Sequence, residues 1–180
     1  MKKILQIGVA VAVIATFSFT QVTKRTIKTY KVGFAIKNMG LTVNGSLKTP
    51  KVNTFIFDKD SLLKSIIDVS IPVSTINTDN KTRDGHLQQE EYFNAAKYPD
   101  IRMQSVRFST SKAGNVLGFF KLTIKGVTKD IKIPVFVTKS SNGTNFKSSF
   151  KINRLDYGVG TSSMVLSNDV KVALDFNTIP

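Results

Sequence analysis

The sequence has no cysteine, no tryptophan and a single histidine, and it sets only 12 acidic residues against 26 basic ones. Without cysteine there can be no disulfide framework, thiolate metal site, cysteine nucleophile or lipidated lipoprotein anchor. One histidine excludes a multi-histidine metal centre. The shortage of acid leaves a formal charge of +14 at pH 7. What is present is ordinary for a globular protein: 41% hydrophobic and 21% charged residues in a chain of 180. That mixture fits neither wholesale disorder nor a polytopic membrane protein, and the length suits one domain with a real core.

The chain opens on Met1-Lys2-Lys3, and residues Ile4 to Phe19 then run almost without polar interruption, Gln6 being the main break. This basic start followed by a short apolar run matches an export signal and falls short of the roughly 20 residues that span a bilayer. The small residues of Thr16-Phe17-Ser18 and Ser18-Phe19-Thr20 place cleavage near residues 18–20, a retained N-terminal anchor being the alternative. Either outcome puts residues 21–180 outside the cytoplasm as one domain. Loss of Lys2 and Lys3 leaves 24 basic against 12 acidic residues, or +12. An exported chain without cysteine points to a bacterial periplasm or the extracellular space, with folding independent of disulfides.

Beyond the leader the pattern is one of strands. Tyr30, Val32, Phe34 and Ile36 alternate with Lys31, Gly33, Ala35 and Lys37, the signature of an antiparallel strand with one dry face. Leu41, Val43 and Leu47 continue it, with Asn44-Gly45 read as a bend or turn. Phe55-Ile56-Phe57 is a short apolar run ended by Asp58 to Ser61. Ile67, Val69, Ile71 and Val73 alternate around Pro72, which marks a strand end, bulge or edge. Ile101 and Met103 change parity with Val106 and Phe108, which predicts a bulge at Ser105-Val106. Phe120, Leu122 and Ile124 pair with Ile131, Ile133, Val135 and Val137 across a connection at residues 126–130. Phe146, Phe150 and Ile152 form a further strand, and Val170, Val172, Leu174 and Phe176 the last. The expected fold is all-β, an antiparallel barrel or sandwich of about eight strands. Asn80 to Asp100 is the polar exception, a short helix or lid near residues 84–97 that Tyr98-Pro99 closes.

Four segments carry a resemblance. Thr82-Arg83-Asp84-Gly85-His86-Leu87, with Tyr92-Phe93-Asn94 and Lys97-Tyr98-Pro99-Asp100-Ile101, resembles the central pattern of the YceI family, exported lipocalin-like proteins that bind polyisoprenoids. The segments Lys31–Gly40, Leu122–Lys129 and Ile152–Gly158 resemble its opening strand, late hairpin and Asn-Arg-x-Asp-aromatic-Gly signature. Thr29, Asn38 and Lys125 stand where the family often carries histidine, so a head-group contact there would be altered. The lipocalin G-x-W signature is absent, because the chain has no tryptophan.

The resemblance implies a lipocalin-like barrel with an apolar tunnel for a long amphiphilic lipid, an isoprenoid, quinone or similar molecule. Tunnel candidates are Phe34, Ile36, Met103, Phe120, Leu122, Phe150 and Phe176. The strand pattern by itself is equally compatible with a solid core. Arg83, His86 and Arg154 are candidates for a rim that meets a polar or phosphorylated head group, since a guanidinium can grip two oxygens at once. Their structural alternative is a network in which Asp84 caps a helix over Leu87–Phe93 and pairs with Arg83 or Arg154.

Catalysis is not expected. His86 and Glu90 would lie one helical turn apart, but no nucleophile motif, phosphate loop or metal spacing accompanies them. No cofactor is implied other than the lipid itself. Nor is nucleic acid, because the lysines are spread over polar strand faces, as at Lys121, Lys125, Lys129 and Lys132, without interleaved aromatic stacking residues. The charge suits anionic lipid head groups, or simply solubility. The rival to a lipid carrier is a packed barrel that acts through a protein partner or as a stress-related scaffold.

Overall fold

The computed structural model describes residues 24–112 and 114–179, so the expected leader lies outside the described residues. Nine strands form one antiparallel sheet. They are β1 (Thr26–Asn38), β2 (Leu41–Leu47), β3 (Lys51–Ile56), β4 (Ile66–Pro72), β5 (Asp100–Thr110), β6 (Val116–Ile124), β7 (Val127–Ser140), β8 (Gly143–Asn153) and β9 (Leu166–Ile179). The spatial order is β2-β1-β9-β8-β7-β6-β5-β4-β3. Every neighbour except β1/β9 follows its partner directly in the chain, with the long connection between β4 and β5 carrying the polar segment Asn80–Asp100. The sheet curls until the residues leading into β1 reach β3, with Arg25 N donating to Phe55 O at 2.7 Å and Lys24 bridging Ile56, while Ser46 of the edge strand β2 bridges Asn77. Curling covers most of the unpaired backbone that a flat edge strand would expose.

Local chemistry explains the turns. β1 and β2 are joined by Met39-Gly40, both with positive φ (50° and 80°), as a two-residue hairpin demands. The Asn44-Gly45 turn expected from composition is therefore not a turn; both residues lie inside β2. Gly45 serves the packing instead, since a Cβ there would sit 2.2 Å from Cζ of Phe34, whose ring lies over it. Likewise β6 turns into β7 at Lys125-Gly126 (φ 49° and 76°), and residues 127–130 are already paired strand. Lys125 is thus a turn residue rather than part of a strand face. The β5 bulge occurs where the parity change predicts it, between Ser105 and Arg107, and Pro72 is the last residue of β4.

The helix α1 (Lys81–Leu87) lies earlier than expected, and residues 88–98 form turns. Its cap is Asn80, whose Oδ1 accepts from Arg83 N at 3.0 Å. Asp84 is not the cap. Its carboxylate accepts from Thr78 N and Thr78 Oγ1, at 2.9 and 2.6 Å. After Leu87 the chain reverses, with Phe93 N donating to Leu87 O and Asn94 at φ 48°. That reversal turns Tyr92 and Phe93 toward the barrel, which a continued helix would not do.

The core is concentrated at one end. Phe55, Phe57, Phe108, Phe120 and Phe146 are all buried and meet edge to face, with centroids 5.0 to 5.7 Å apart. Each such pair contributes about 0.5–1.5 kcal/mol beyond the burial of its rings. This plug stops the barrel near its N-terminal end. At the other end Leu122, Ile124, Tyr157 and Val159 pack against Tyr92 and Phe93, while Leu47, Ile71 and Ile76 pack against Leu87 and Phe93.

Candidate functional site

The inward faces of β1, β8 and β9 are apolar but not fully buried. Val32, Phe34, Ile36, Phe150, Val170, Val172, Leu174 and Phe176 keep intermediate exposure although they point into the sheet's concave side. Inward-facing side chains that stay accessible mean space, and the space is a cavity of about 550 Å³. That is within the range of small-ligand sites, roughly 300–1,000 Å³. Phe34, Ile36, Met103, Phe120, Leu122, Phe150 and Phe176 all line it. Two of these residues are also packed into buried clusters, Phe120 into the aromatic plug and Leu122 into the cluster with Ile124, Tyr157 and Val159. Sequence reasoning missed that the two roles, lining a cavity and packing a core, occur together in this barrel.

Polar groups gather toward the end covered by α1. Asn38, Thr78, Asn80, Arg83, His86 and Arg154 line the cavity there. Arg83 is half-buried, with Nε donating to Thr78 Oγ1 at 2.7 Å and Nη2 to Thr78 O at 2.6 Å. Thr78 is thus the hub that joins Arg83 to Asp84; the two charged residues do not pair directly in the way the sequence reading allowed. His86 is exposed in the last turn of α1, and because that helix ends at Leu87, Glu90 does not share it.

Arg154 is 4% exposed and is bonded to carbonyls rather than to a carboxylate. Nε donates to Ser167 O at 2.9 Å, Nη1 to Val159 O at 2.8 Å and Nη2 to Thr161 O at 2.8 Å. Its fork holds the connection between β8 and β9 in place and turns away from pairing with Asp84. Gly160 is required beside it, since a Cβ would lie 2.9 Å from Arg154 Nη1. Tyr157, 2% exposed, also lines the cavity. Burial, with the negative charge of Asp156 adding to it, pushes its hydroxyl pKa up to about 12. Among the described residues no three of His, Asp and Glu gather as a metal site. Two mouth residues, Tyr92 and Phe93, belong to a segment visible in the sequence, but their inward turn needed the reversal after Leu87.

A curled antiparallel sheet around an apolar pocket, plugged at one end and polar-rimmed at the other, defines a β-barrel-like fold with a cavity in its concave side. The chain belongs to the YceI-like family, whose domain it matches over residues 16–178. A UPF0312 protein of Photorhabdus laumondii is 30% identical over 101 residues, covering 56% of this chain; the chain spans about half the length of that relative (52%). Among solved structures it is similar to BcnA of Burkholderia cenocepacia (TM-score 0.74, 22% identity, 82% of this chain and 94% of the other). It is also similar to a polyisoprenoid-binding domain from Saccharophagus degradans implicated in plant cell wall breakdown. That likeness has TM-score 0.67 and 14% identity, over 87% of this chain and 97% of the other. At these identities the two structures establish the shared fold.

Proposed function

We propose that this chain is a non-enzymatic, exported carrier that sequesters or transports an amphiphilic isoprenoid-like lipid, a polyprenyl or quinone species, in the barrel cavity. The observation that carries this reading is the apolar cavity of about 550 Å³, closed by phenylalanines at one end and rimmed by polar groups at the other. The family membership and the polyisoprenoid-binding neighbour support it. The tail lies along Phe34, Ile36, Met103, Leu122, Phe150 and Phe176, and Phe120 is the floor that sets the chain length admitted. Each buried methylene contributes about 0.8 kcal/mol, so a long tail is retained with few polar contacts. The head group stays at the rim near Arg83 and His86, with Arg154 holding the neighbouring connection. The segment Asn80–Asp100 is the mobile side of the mouth, and loading takes place at an anionic membrane face in the periplasm or outside the cell.

The test is to purify the exported chain natively, extract it with organic solvent and examine the extract by mass spectrometry. A stoichiometric polyprenyl or quinone species is the expected result. A clean extract, repeated after incubation with membrane lipids, would overturn the carrier reading in favour of a protein-partnered scaffold.

A further inference from the structure

Four apolar side chains at the rim end of the barrel are left to water. Met39 is 75% exposed, Leu41 74%, Val165 53%, and Met164 is completely exposed. They come from two separate segments that the fold holds together. Met39 and Leu41 flank Gly40 in the β1–β2 turn, while Met164 and Val165 lead into β9, and Met39 N donates to Val165 O at 2.8 Å. The patch adjoins the cavity directly, because Asn38, Val43 and Leu166, one or two residues along the same segments, line it.

The backbone of Met39 bonds Val165, but its side chain adds little packing to the fold. A two-residue hairpin loop with positive φ favours Asn, Asp or Gly, and a bulky side chain there is strained. The β6–β7 turn carries the same strain at Lys125 (φ 49°), but that residue donates to Glu91 O and Gly158 O at 3.2 and 2.7 Å. Met39 takes the same conformation (φ 50°) and holds its thioether out in solvent. A local rule broken without a packing gain is a mark of a surface used for something else.

The surroundings decide what covers it. No acidic residue occurs from Lys28 to Phe57 or from Tyr157 to Asn168, so neither segment contributes a negative charge. Lys37 on β1 and Lys171 on β9 are exposed just behind the patch, where the one acid of this part of β9, Asp169, pairs with Lys151 at 3.9 Å. Thr161 and Ser162 are exposed beside Met164, and Ser163 Oγ accepts from Val165 N and Leu166 N at 3.2 and 3.1 Å. Four side chains fall far short of the roughly 20–30 residues a side of a stable protein interface. An apolar tip backed by an excess of cations, its nearest β9 acid being paired with Lys151, fits the headgroup boundary of an anionic bilayer.

We infer that the β1–β2 turn and residues 163–165 form a membrane-docking tip that sets the cavity mouth against an anionic lipid surface. The inference rests on the carrier reading, and it moves the membrane contact from the Asn80–Asp100 segment to the β1–β2 turn and the connection that leads into β9. Insertion of Met39, Leu41, Met164 and Val165 would bring the bilayer's acyl layer level with Asn38 and Leu166, so a tail passes inward without crossing water.

The absence of cysteine makes the test clean, since a single introduced thiol carries the only label. Met164→Cys and, as control, Leu63→Cys (a 95% exposed residue at the plugged end) are each labelled with a polarity-sensitive fluorophore. They are mixed with phosphatidylcholine vesicles with and without phosphatidylglycerol. The dye reports its own surroundings, so the readout holds whether or not residues 1–23 remain attached. The expected result is a blue shift at position 164 alone, stronger with phosphatidylglycerol, reduced by salt, and at least tenfold weaker in a Met39→Ser/Leu41→Ser background. No shift at 164, equal shifts at 63 and 164, or a vesicle-independent shift accompanied by dimerisation in light scattering would each overturn the inference. Loading of the serine variant with polyprenol from detergent solution separates the two readings: loading without docking refutes the tip alone, and failure of the parent to load refutes the carrier.

Discussion

Val116 and Val172 are chemically identical and sit in two different parts of the barrel, which makes them a direct test of whether the interior is hollow. Val116 on β6 is buried in the phenylalanine-rich cluster and does not line the cavity. Val172 on β9 faces the cavity between Phe34 and Phe150, its partners on β1 and β8, and keeps intermediate exposure. Replacing each with phenylalanine adds the same volume. In the packed cluster that volume forces strained rotamers and backbone shifts, a cost of about 1–3 kcal/mol. In a protein of this size that lowers Tm by about 2–12 °C. In the cavity the added ring meets empty space of about 550 Å³ and buries further apolar area, so Val172→Phe is expected to be neutral or to raise Tm. The same ring occupies the tail's path, so Val172→Phe shortens or abolishes the lipid bound. Thermal unfolding of delipidated protein by circular dichroism, followed by lipid extraction, reads both effects. Equal destabilisation by the two substitutions would refute the hollow-barrel reasoning, whatever the lipid result.

Arg154→Lys removes the planar fork from the carbonyls of Val159, Thr161 and Ser167 and is expected to cost on the order of 3 kcal/mol in urea denaturation, with faster proteolysis between residues 158 and 166. A loss under about 1 kcal/mol coupled to weaker lipid binding would instead make Arg154 a head-group ligand. Tyr157 supplies an alkaline signature. Its raised pKa means its contribution is fully present below pH 10, its ordinary value, and is lost as pH rises through about 12. That amounts to on the order of 2–3 kcal/mol. Parent protein should therefore lose stability across that window more steeply than Tyr157→Phe, and parallel stability curves would sink the assignment.

Period-two alternation along β1, β4, β6, β7 and β9 made the all-β architecture legible in the sequence, because a strand's two faces are written in successive residues. The β5 bulge and the end of β4 at Pro72 were equally local, and so was the rim segment, through its polar composition. Other features depended on partners far away in the chain. Asn44-Gly45 has turn composition, yet Phe34 needs the bare face of Gly45, so the turn goes to Met39-Gly40. Asp84 has the chemistry of a cap, yet Thr78 takes its carboxylate and Asn80 caps the helix. Whether the seven tunnel candidates enclose a void or fill it was undecidable from their pattern, since volume is a property of how the curled sheet spaces its inner faces. Arg154 and the exposed tip show the same division: the sequence determines which groups are available, and only the meeting of distant backbone segments decides whether a side chain is bound by carbonyls, stacked in a plug or left to face the solvent.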